Sequence, residues 1–301
     1  MLSIDGRVGG LSLCRFLIFF GTFIPKLSTM RAIILTFLLV GSYLLGFSQS
    51  RGYKTVTNIA YVEKPESDYQ STRCRLDIHY PTSGEKKPIV IWYHGGGLTG
   101  GDREVPEFLR EKGYVIVGVG YRFADQVKVE EIIQDAAKAV AYMARNGQKY
   151  HGDTSNIFLS GHSAGGYLTL MLGLNKAYLE REGYDADKLA GVISFSGHGI
   201  SHFAARQEKN IPEKQPLIDE YAPLFWARKS PVPFVLLTGD RELEMLGRYE
   251  ENAYLKRMLL INGHTDVKLM EFQGYGHGMT HPGFPILLQE MERILKSKTD
   301  S

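Results

Sequence analysis

A serine flanked by small residues is the first feature of the sequence with evident chemistry. The run Gly161-His162-Ser163-Ala164-Gly165 follows a strand-like stretch and precedes a helical one. A nucleophilic serine requires such a strand-to-helix turn, because the strained turn presents the hydroxyl and tolerates only small neighbours. In a glycine-rich chain the bare pattern is weak evidence, so partners elsewhere must support it. We interpret Ser163 as a covalent nucleophile.

A glycine loop supplies the first partner. His94-Gly95-Gly96-Gly97 directly follows the apolar stretch 89–93. Unhindered backbone N–H groups in such a loop can point at the oxygen on which negative charge develops during acyl transfer. We therefore predict an oxyanion hole formed by the N–H groups of Gly95, Gly96 and Ala164. His94 is expected to fix the loop by hydrogen bonds.

A histidine and a nearby acid complete the constellation. Of the nine histidines, only His277 combines flanking glycines with a place after the last strand-like run, so we predict it as the general base. The acid that orients the imidazole is expected after the strand-like run 234–238. Asp240 and Glu242 in that loop could each reach it.

The elements that must position these residues alternate between strand-like and helical patterns. That alternation predicts an α/β fold, with a largely parallel sheet and helices on both faces. The strands are expected at 55–62, 75–80, 88–94, 114–121, 156–160, 189–194, 234–238 and 267–272. The helices are expected at 104–112, 129–145, 165–174, 249–260 and 285–296. Residues 51–298 are expected to form a single domain, in which 197–230 is an insertion that could fold over the sheet edge.

Composition excludes several classes of protein. The 301 residues are 44% hydrophobic and 23% charged, as in ordinary soluble globular proteins, and the formal net charge is +2. Basic residues form no stripe that could follow a phosphate backbone, so nucleic acid is not expected as a partner. No ligand spacing typical of a metal site occurs, and the chemistry above needs neither metal nor cofactor.

The first fifty residues have the composition of a targeting segment. Met30-Arg31, the apolar run 32–47 and the small residues Gly46 and Ser48 match a signal peptide cleaved after Ser48. We expect residues 30–48 to be that signal peptide and 1–29 an upstream over-extension of the reading frame. The alternative is a retained anchor. Export to the periplasm or the extracellular space follows from the first interpretation, with no stable membrane insertion after cleavage.

Taken together, these motifs resemble α/β-hydrolase esterases of the hormone-sensitive-lipase-like and bacterial feruloyl-esterase-like groups. The resemblance covers most of residues 75–296 and implies an α/β-hydrolase fold with a short cap insertion. It rests on the serine motif extended to Gly166, on His94-Gly-Gly-Gly and Gly-Tyr-Gly-His277, and on Tyr121-Arg122, Asp135 and Gly152-Asp153.

The resemblance also bears on the acid. In these groups the acid usually stands three residues after the glycine that ends the strand, which here favours Glu242 over Asp240, although aspartate is commoner at that position. A departure follows Tyr121-Arg122, where Phe123-Ala124-Asp125-Gln126 replaces a proline-containing continuation. That change favours the polysaccharide-esterase or formamidase-like branches.

The resemblance implies an exported serine esterase acting through an acyl-enzyme. Its expected substrates are acyl or feruloyl esters of carbohydrates, or small esters. An amide hydrolase of formamidase or peptidase type is the alternative within the enzymes. A non-catalytic binding module on the same fold is the remote alternative, which the presence of both Ser163 and His277 disfavours.

Overall fold

The computed structural model describes residues 52–299, which lie within one compact unit, Arg51–Ser301. The segments 1–29 and 30–48, predicted above to be an over-extension and a signal peptide, lie outside the described residues. The strands are β1 (Tyr53–Ala60), β2 (Arg75–Pro81), β3 (Lys87–Tyr93), β4 (Val115–Val119), β5 (Gly152–His162), β6 (Gly191–Phe195), β7 (Phe234–Gly239) and β8 (Val267–Phe272). The helices are α1 (Asp68–Arg73), α2 (Val129–Asn146), α3 (Ala164–Leu174), α4 (Lys176–Arg181), α5 (Phe203–Glu208), α6 (Arg248–Ile261) and α7 (Thr280–Thr299).

The eight strands form one sheet in the order β1-β2-β4-β3-β5-β6-β7-β8. β1 and β2 pair antiparallel, as do β2 and β4, and all pairs from β3 to β8 are parallel. In a parallel sheet the carboxyl ends of neighbouring strands lie at one edge. The loops after β3, β5, β7 and β8, which carry the predicted site residues, are therefore brought to the same edge.

Both faces of the sheet are covered. In β3, Ile89, Ile91 and Tyr93 belong to the core beneath α2 and α3, whereas Val90 and Trp92 belong to the core beneath α7. This alternation follows from the two-residue period of a strand. The predicted helix-covered, largely parallel sheet is confirmed.

One predicted helix is wrong. Of residues 104–112, only Glu107–Leu109 form a 3₁₀ turn. Pro106 disfavours helical geometry at the residue before it, so the helix cannot begin at Glu104. Glu111 has φ 57°, in the left-handed region, which ends the segment after a single turn.

The insertion 197–230 lies between β6 and β7 and contains α5 and a 3₁₀ turn, Pro223–Trp226. Its ends are joined by a hydrogen bond from Leu224 N to Gly199 O (2.9 Å). Tyr167 of α3 donates its hydroxyl to the carbonyl of Tyr221 (2.8 Å). These contacts anchor the insertion on the helix that starts beside Ser163.

No helix within residues 52–299 combines the length and apolarity that a bilayer crossing requires.

Candidate active site

Ser163 occupies a strained turn between β5 and α3. Its backbone has φ 55° and ψ −114°, a conformation that residues with side chains rarely adopt. The turn is also crowded, since a Cβ at Gly165 would lie 1.9 Å from Tyr93 O and one at Gly161 would lie 2.6 Å from the same atom. Small residues are therefore required on both sides of Ser163, as the sequence predicts for a nucleophile.

His277 lies in the loop after β8 and meets the serine directly. Its Nε2 is 2.9 Å from Ser163 Oγ. His162, the residue before the serine, places its own Nε2 2.7 Å from the carbonyl oxygen of His277. Because that oxygen can only accept, His162 Nε2 carries the proton, and the bond ties the histidine loop to the serine turn.

The carboxylate that meets His277 is Glu244. Its Oε1 lies 2.6 Å from His277 Nδ1, and its side chain is fully buried. Glu244 stands in the loop after β7, where the acid is expected, but two residues beyond Glu242. The expectation that Glu242 or Asp240 contacts the imidazole is therefore wrong.

The two predicted acids have other positions. Asp240 caps its own loop, since Oδ1 accepts the N–H of Glu242 (2.9 Å) and Oδ2 accepts that of Gly274 (2.9 Å). Glu242 is exposed. The N–H groups of Leu243 and Glu244 both bond to Asp240 O, which makes a tight turn. This turn carries Glu244 rather than Glu242 back beneath the histidine.

Glu244 is held as a carboxylate by four donors. Besides His277, they are the Ser196 hydroxyl and the backbone N–H groups of Gly239 (3.0 Å) and Met245 (2.9 Å). Burial by itself raises the pKa of Glu244, but hydrogen bonds from His277, Ser196 and Met245 outweigh it and lower the pKa to about 2. Glu244 is therefore ionised throughout the neutral range.

A buried arginine holds the residue whose hydroxyl contacts the acid. Arg248 is 1% exposed and donates Nη1–H to the carbonyl of Ser196, whose hydroxyl reaches Glu244. Its Nη2 donates to His198 Nε2 (2.8 Å). Arg248 and Ser196 were not identified from the sequence, because nothing in the pattern around a lone arginine at a helix start marks it as part of a site.

The glycine loop lies against the serine turn. A Cβ at Gly95 would lie 3.5 Å from Ser163 Cβ, so this backbone passes directly beside the serine. Gly96 has φ 113°, and its carbonyl accepts the N–H groups of Thr99 and Gly100. Within residues 52–299 the N–H groups of Gly95, Gly96 and Ala164 donate no hydrogen bond. They remain free for the oxyanion role predicted above.

His94 contacts its own loop rather than the serine. Its ring stacks on that of Tyr121 (centroids 4.3 Å apart), and Tyr121 donates its hydroxyl to His94 O (2.7 Å). Burial lowers the pKa of His94 to about 4, so the ring is neutral. Burial, with the neighbouring His277, likewise lowers the pKa of His162 to about 4. Both histidines are therefore uncharged supports at neutral pH.

The arrangement links a hydroxyl, an imidazole and a carboxylate in one hydrogen-bonded chain. An imidazole so placed can accept the proton of a serine hydroxyl while the carboxylate stabilises the resulting positive charge. Among the residues that the structure describes, no group of three or more His, Cys, Asp or Glu could hold a metal ion.

The sequence is similar to one family model and to several curated esterases. A family model described as BD-FAE matches residues 76–245. Curated relatives include a probable isoprenylcysteine alpha-carbonyl methylesterase of Oryza sativa, 28% identical, with 71% of this chain and 58% of the relative covered. Carboxylesterase 20 of Arabidopsis thaliana is 25% identical (61% and 60% covered), and Esterase LipC of Mycobacterium tuberculosis is 24% identical (64% and 53% covered). The chain thus spans between half and two thirds of the length of these relatives.

Solved structures agree on the fold. A truncated carbohydrate esterase from gut microbiota has a TM-score of 0.66 at 18% identity, covering 84% of this chain and 99% of that chain. Esterase B from Lactobacillus rhamnosis has a TM-score of 0.65 at 17% identity, covering 91% and 96%. The predicted α/β-hydrolase fold is confirmed.

Proposed function

We propose that this chain, which belongs to the BD-FAE family, is a carboxylic ester hydrolase that acts through an acyl-enzyme on Ser163. The observation that carries the proposal is the hydrogen-bonded chain from Ser163 Oγ through His277 to Glu244, with distances of 2.9 and 2.6 Å. The names of the curated relatives, which are esterases, support it.

In the proposed first half-reaction, His277 Nε2 takes the proton of Ser163 as Oγ attacks the ester carbonyl. Glu244 stabilises the imidazolium and holds His277 in the tautomer protonated at Nδ1. His277 then gives the proton to the departing alcohol. In the second half-reaction, water attacks the acyl-enzyme with His277 again as base, which regenerates Ser163 and releases the acid.

The substrate oxygen on which negative charge develops is proposed to accept hydrogen bonds from the N–H groups of Gly95, Gly96 and Ala164. Ala164 is the first residue of α3, so its N–H also lies at the positive end of that helix dipole. Removing one such donor from an oxyanion hole typically costs about 10²- to 10³-fold in kcat. No step in the proposed mechanism calls for a metal or cofactor.

The proposed substrates are small carboxylic esters or acyl and feruloyl esters of carbohydrates. The family and the departure from the lipase-like pattern after Arg122 support this choice. The N-terminal features 30–48 support a further proposal, that the protein is exported and its leader removed.

Active-site labelling combined with a substrate panel tests the function. A fluorophosphonate probe is expected to modify Ser163 in the wild type and to leave Ser163→Ala unlabelled. p-Nitrophenyl acetate, p-nitrophenyl butyrate and methyl ferulate are expected to be hydrolysed, and hydrolysis should persist in EDTA. Matched p-nitroanilides should turn over far more slowly. Faster hydrolysis of the anilides would assign the chain to the amidases, and absence of labelling with absence of turnover would refute the enzyme proposal.

A further inference from the structure

A cavity of about 340 Å³ is lined by none of the residues of the candidate active site. It opens between the insertion 197–230, the start of α2 and the helix α4. We refer to it as the Trp226 pocket. Its wall includes Glu130, Asn175, Tyr178, Arg181, Tyr221 and Trp226.

Neutral polar groups in this wall have no protein partner. Asn175 and Tyr178 are each only 6% exposed. Asn175 Oδ1 accepts the N–H of Ala177, but Asn175 Nδ2 and the hydroxyls of Tyr178 and Tyr221 make no hydrogen bond with any residue in 52–299. None of these three atoms is among the fully buried unpartnered polar atoms of residues 52–299, so each is open to water or to a ligand in the pocket.

The charged groups of the pocket are already paired. Arg181 Nη1 lies 3.2 Å from Glu130 Oε1, and Lys209, just outside the pocket, places Nζ 2.9 Å from Glu220 Oε1. Burial, followed by the charge of Glu130, raises the pKa of Tyr178, so its phenol stays protonated. An ionic ligand would have to displace these pairs, whereas an uncharged ligand with hydroxyl groups could bond to what remains free.

Aromatic rings provide the apolar part of the surface. The Trp226 ring packs edge to face with that of Phe225, with centroids 5.1 Å apart. Phe225 does not line the pocket, but it is 56% exposed and adjoins Trp226, so it adds an accessible aromatic ring beside it. Trp226 Nε1 is held by the carbonyl of Glu220 (2.8 Å), which fixes the ring. Fixed rings next to hydrogen-bonding groups fit ligands that present an apolar face and a polar rim.

We propose that the Trp226 pocket binds a neutral carbohydrate chain, with one sugar ring in the pocket and the next along Phe225. A pyranose has this combination of features, since its C–H face is apolar and its hydroxyls donate and accept. The site needs no ester in its ligand and so extends beyond the proposed hydrolytic activity. Its wall is connected to α3 by the hydrogen bond from the Tyr167 hydroxyl to the carbonyl of Tyr221.

Tryptophan fluorescence and calorimetry test the proposal directly. The sequence has two tryptophans, and Trp92 is 1% exposed in the core, so a ligand-induced change in emission reports on Trp226. The protein is titrated with xylohexaose, cellohexaose, mannohexaose and maltohexaose. At least one is expected to saturate both signals with a single Kd.

The decisive variant is Tyr178→Phe combined with Tyr221→Phe. It removes two hydroxyls that bond to no described residue, so the melting temperature and the hydrolysis of p-nitrophenyl acetate should stay as in the wild type. The Kd for the hexasaccharide is expected to rise about tenfold or more, because each lost neutral hydrogen bond weakens binding. Tyr254→Phe, which removes an exposed hydroxyl elsewhere, is the matched control and should leave the Kd unchanged.

A third arm separates this site from the candidate active site. Binding is expected to survive covalent blocking of Ser163 by the fluorophosphonate. If blocking abolishes binding, the ligand occupies the serine site and the proposal is wrong. An unchanged Kd in the double variant, or no saturation with any of the four hexasaccharides, also overturns it. The titrations and the Kd of the double variant do not depend on whether the protein hydrolyses esters, so failure of this proposal is distinguishable from failure of the proposed function.

Discussion

Replacing Glu244 by glutamine removes the charge beneath His277 while keeping the shape of the side chain. We expect kcat for p-nitrophenyl acetate to fall about 10³-fold, with little change in KM. The side chain of Glu244 is fully buried and contacts the imidazole, so its loss affects the proton transfer and not the binding of substrate.

The magnitude follows from the electrostatics of the pair. The imidazolium that forms during the reaction faces the carboxylate across a 2.6 Å contact. Two opposite unit charges about 4 Å apart, roughly the separation of the two group centres, attract by about 4 kcal/mol at an effective dielectric constant of about 20. Since about 1.4 kcal/mol in the barrier changes the rate tenfold, losing this attraction costs about 10³-fold.

The orientation of the new amide in Glu244→Gln decides whether kcat falls further. If its NH₂ group faces Ser196 and Gly239, the Ser196 hydroxyl can turn to accept, and His277 keeps its Nδ1 proton. If the NH₂ group faces His277 and Met245, the imidazole is driven into the wrong tautomer, which raises the loss to about 10⁴-fold. Either orientation sets one backbone N–H against a donor and costs about 1–3 kcal/mol in the free energy of unfolding.

Two matched variants share the same loop. Glu242→Gln and Asp240→Asn make the same chemical change at an exposed carboxylate and at a loop cap, and each should lower kcat no more than a few-fold. All three variants are assayed on one ester after thermal melts show that they are folded. A collapse of kcat in Glu242→Gln or Asp240→Asn, with Glu244→Gln within tenfold of wild type, would refute the assignment.

Four further outcomes are expected. Ser163→Ala should lose at least about 10³-fold in ester hydrolysis, whereas Ser163→Gly, equally inactive, should melt at a higher temperature than Ser163→Ala because glycine tolerates φ 55°. Gly95→Ala should lower kcat at least tenfold, since its Cβ would lie 3.3 Å from the His162 ring and 3.5 Å from Ser163 Cβ; wild-type kinetics would contradict the oxyanion assignment. Because folding lowers the pKa of Glu244 from 4.5 to about 2, the ionised carboxylate stabilises the fold at pH values above 4.5. This contribution is lost as the pH falls toward 2. The difference in melting temperature between wild type and Glu244→Gln should therefore shrink over that range, and a constant difference would contradict it. Mass spectrometry of the exported protein should find an N-terminus at Gln49, and peptides from residues 32–47 in that product would contradict cleavage after Ser48.

Ser163 and His277 could be predicted from the sequence. For Ser163 this is because the local backbone geometry of its turn restricts which residue types can stand beside it. The turn around Ser163 excludes side chains at Gly161 and Gly165, and the strand before it shows a clear apolar pattern. Small residues at these positions are therefore visible in the sequence. The parallel sheet then brings His277 to the same edge, because both residues follow strands that end there.

The acid could not be located in this way. The loop after β7 offers several carboxylates, and only its three-dimensional path decides which one turns inward. An aspartate at the start of a loop often accepts the backbone N–H two residues on, as Asp240 does from Glu242, and that preference could have removed Asp240 from consideration. The choice between Glu242 and Glu244 depends on the double hydrogen bond to Asp240 O, which no spacing rule encodes.

The bond between His162 Nε2 and the carbonyl of His277 has a consequence for motion. The two residues are far apart in the chain, yet the donor is the immediate neighbour of Ser163 and the acceptor is the backbone of the base itself. The serine turn is in turn immobilised by close backbone contacts, so the histidine loop cannot swing away without breaking this bond. The base and the nucleophile therefore keep their relative position without help from the insertion 197–230. That insertion is fixed to α3 separately, by the Tyr167 hydroxyl on the carbonyl of Tyr221 and by Arg228 on the carbonyls of Gly173 and Leu174.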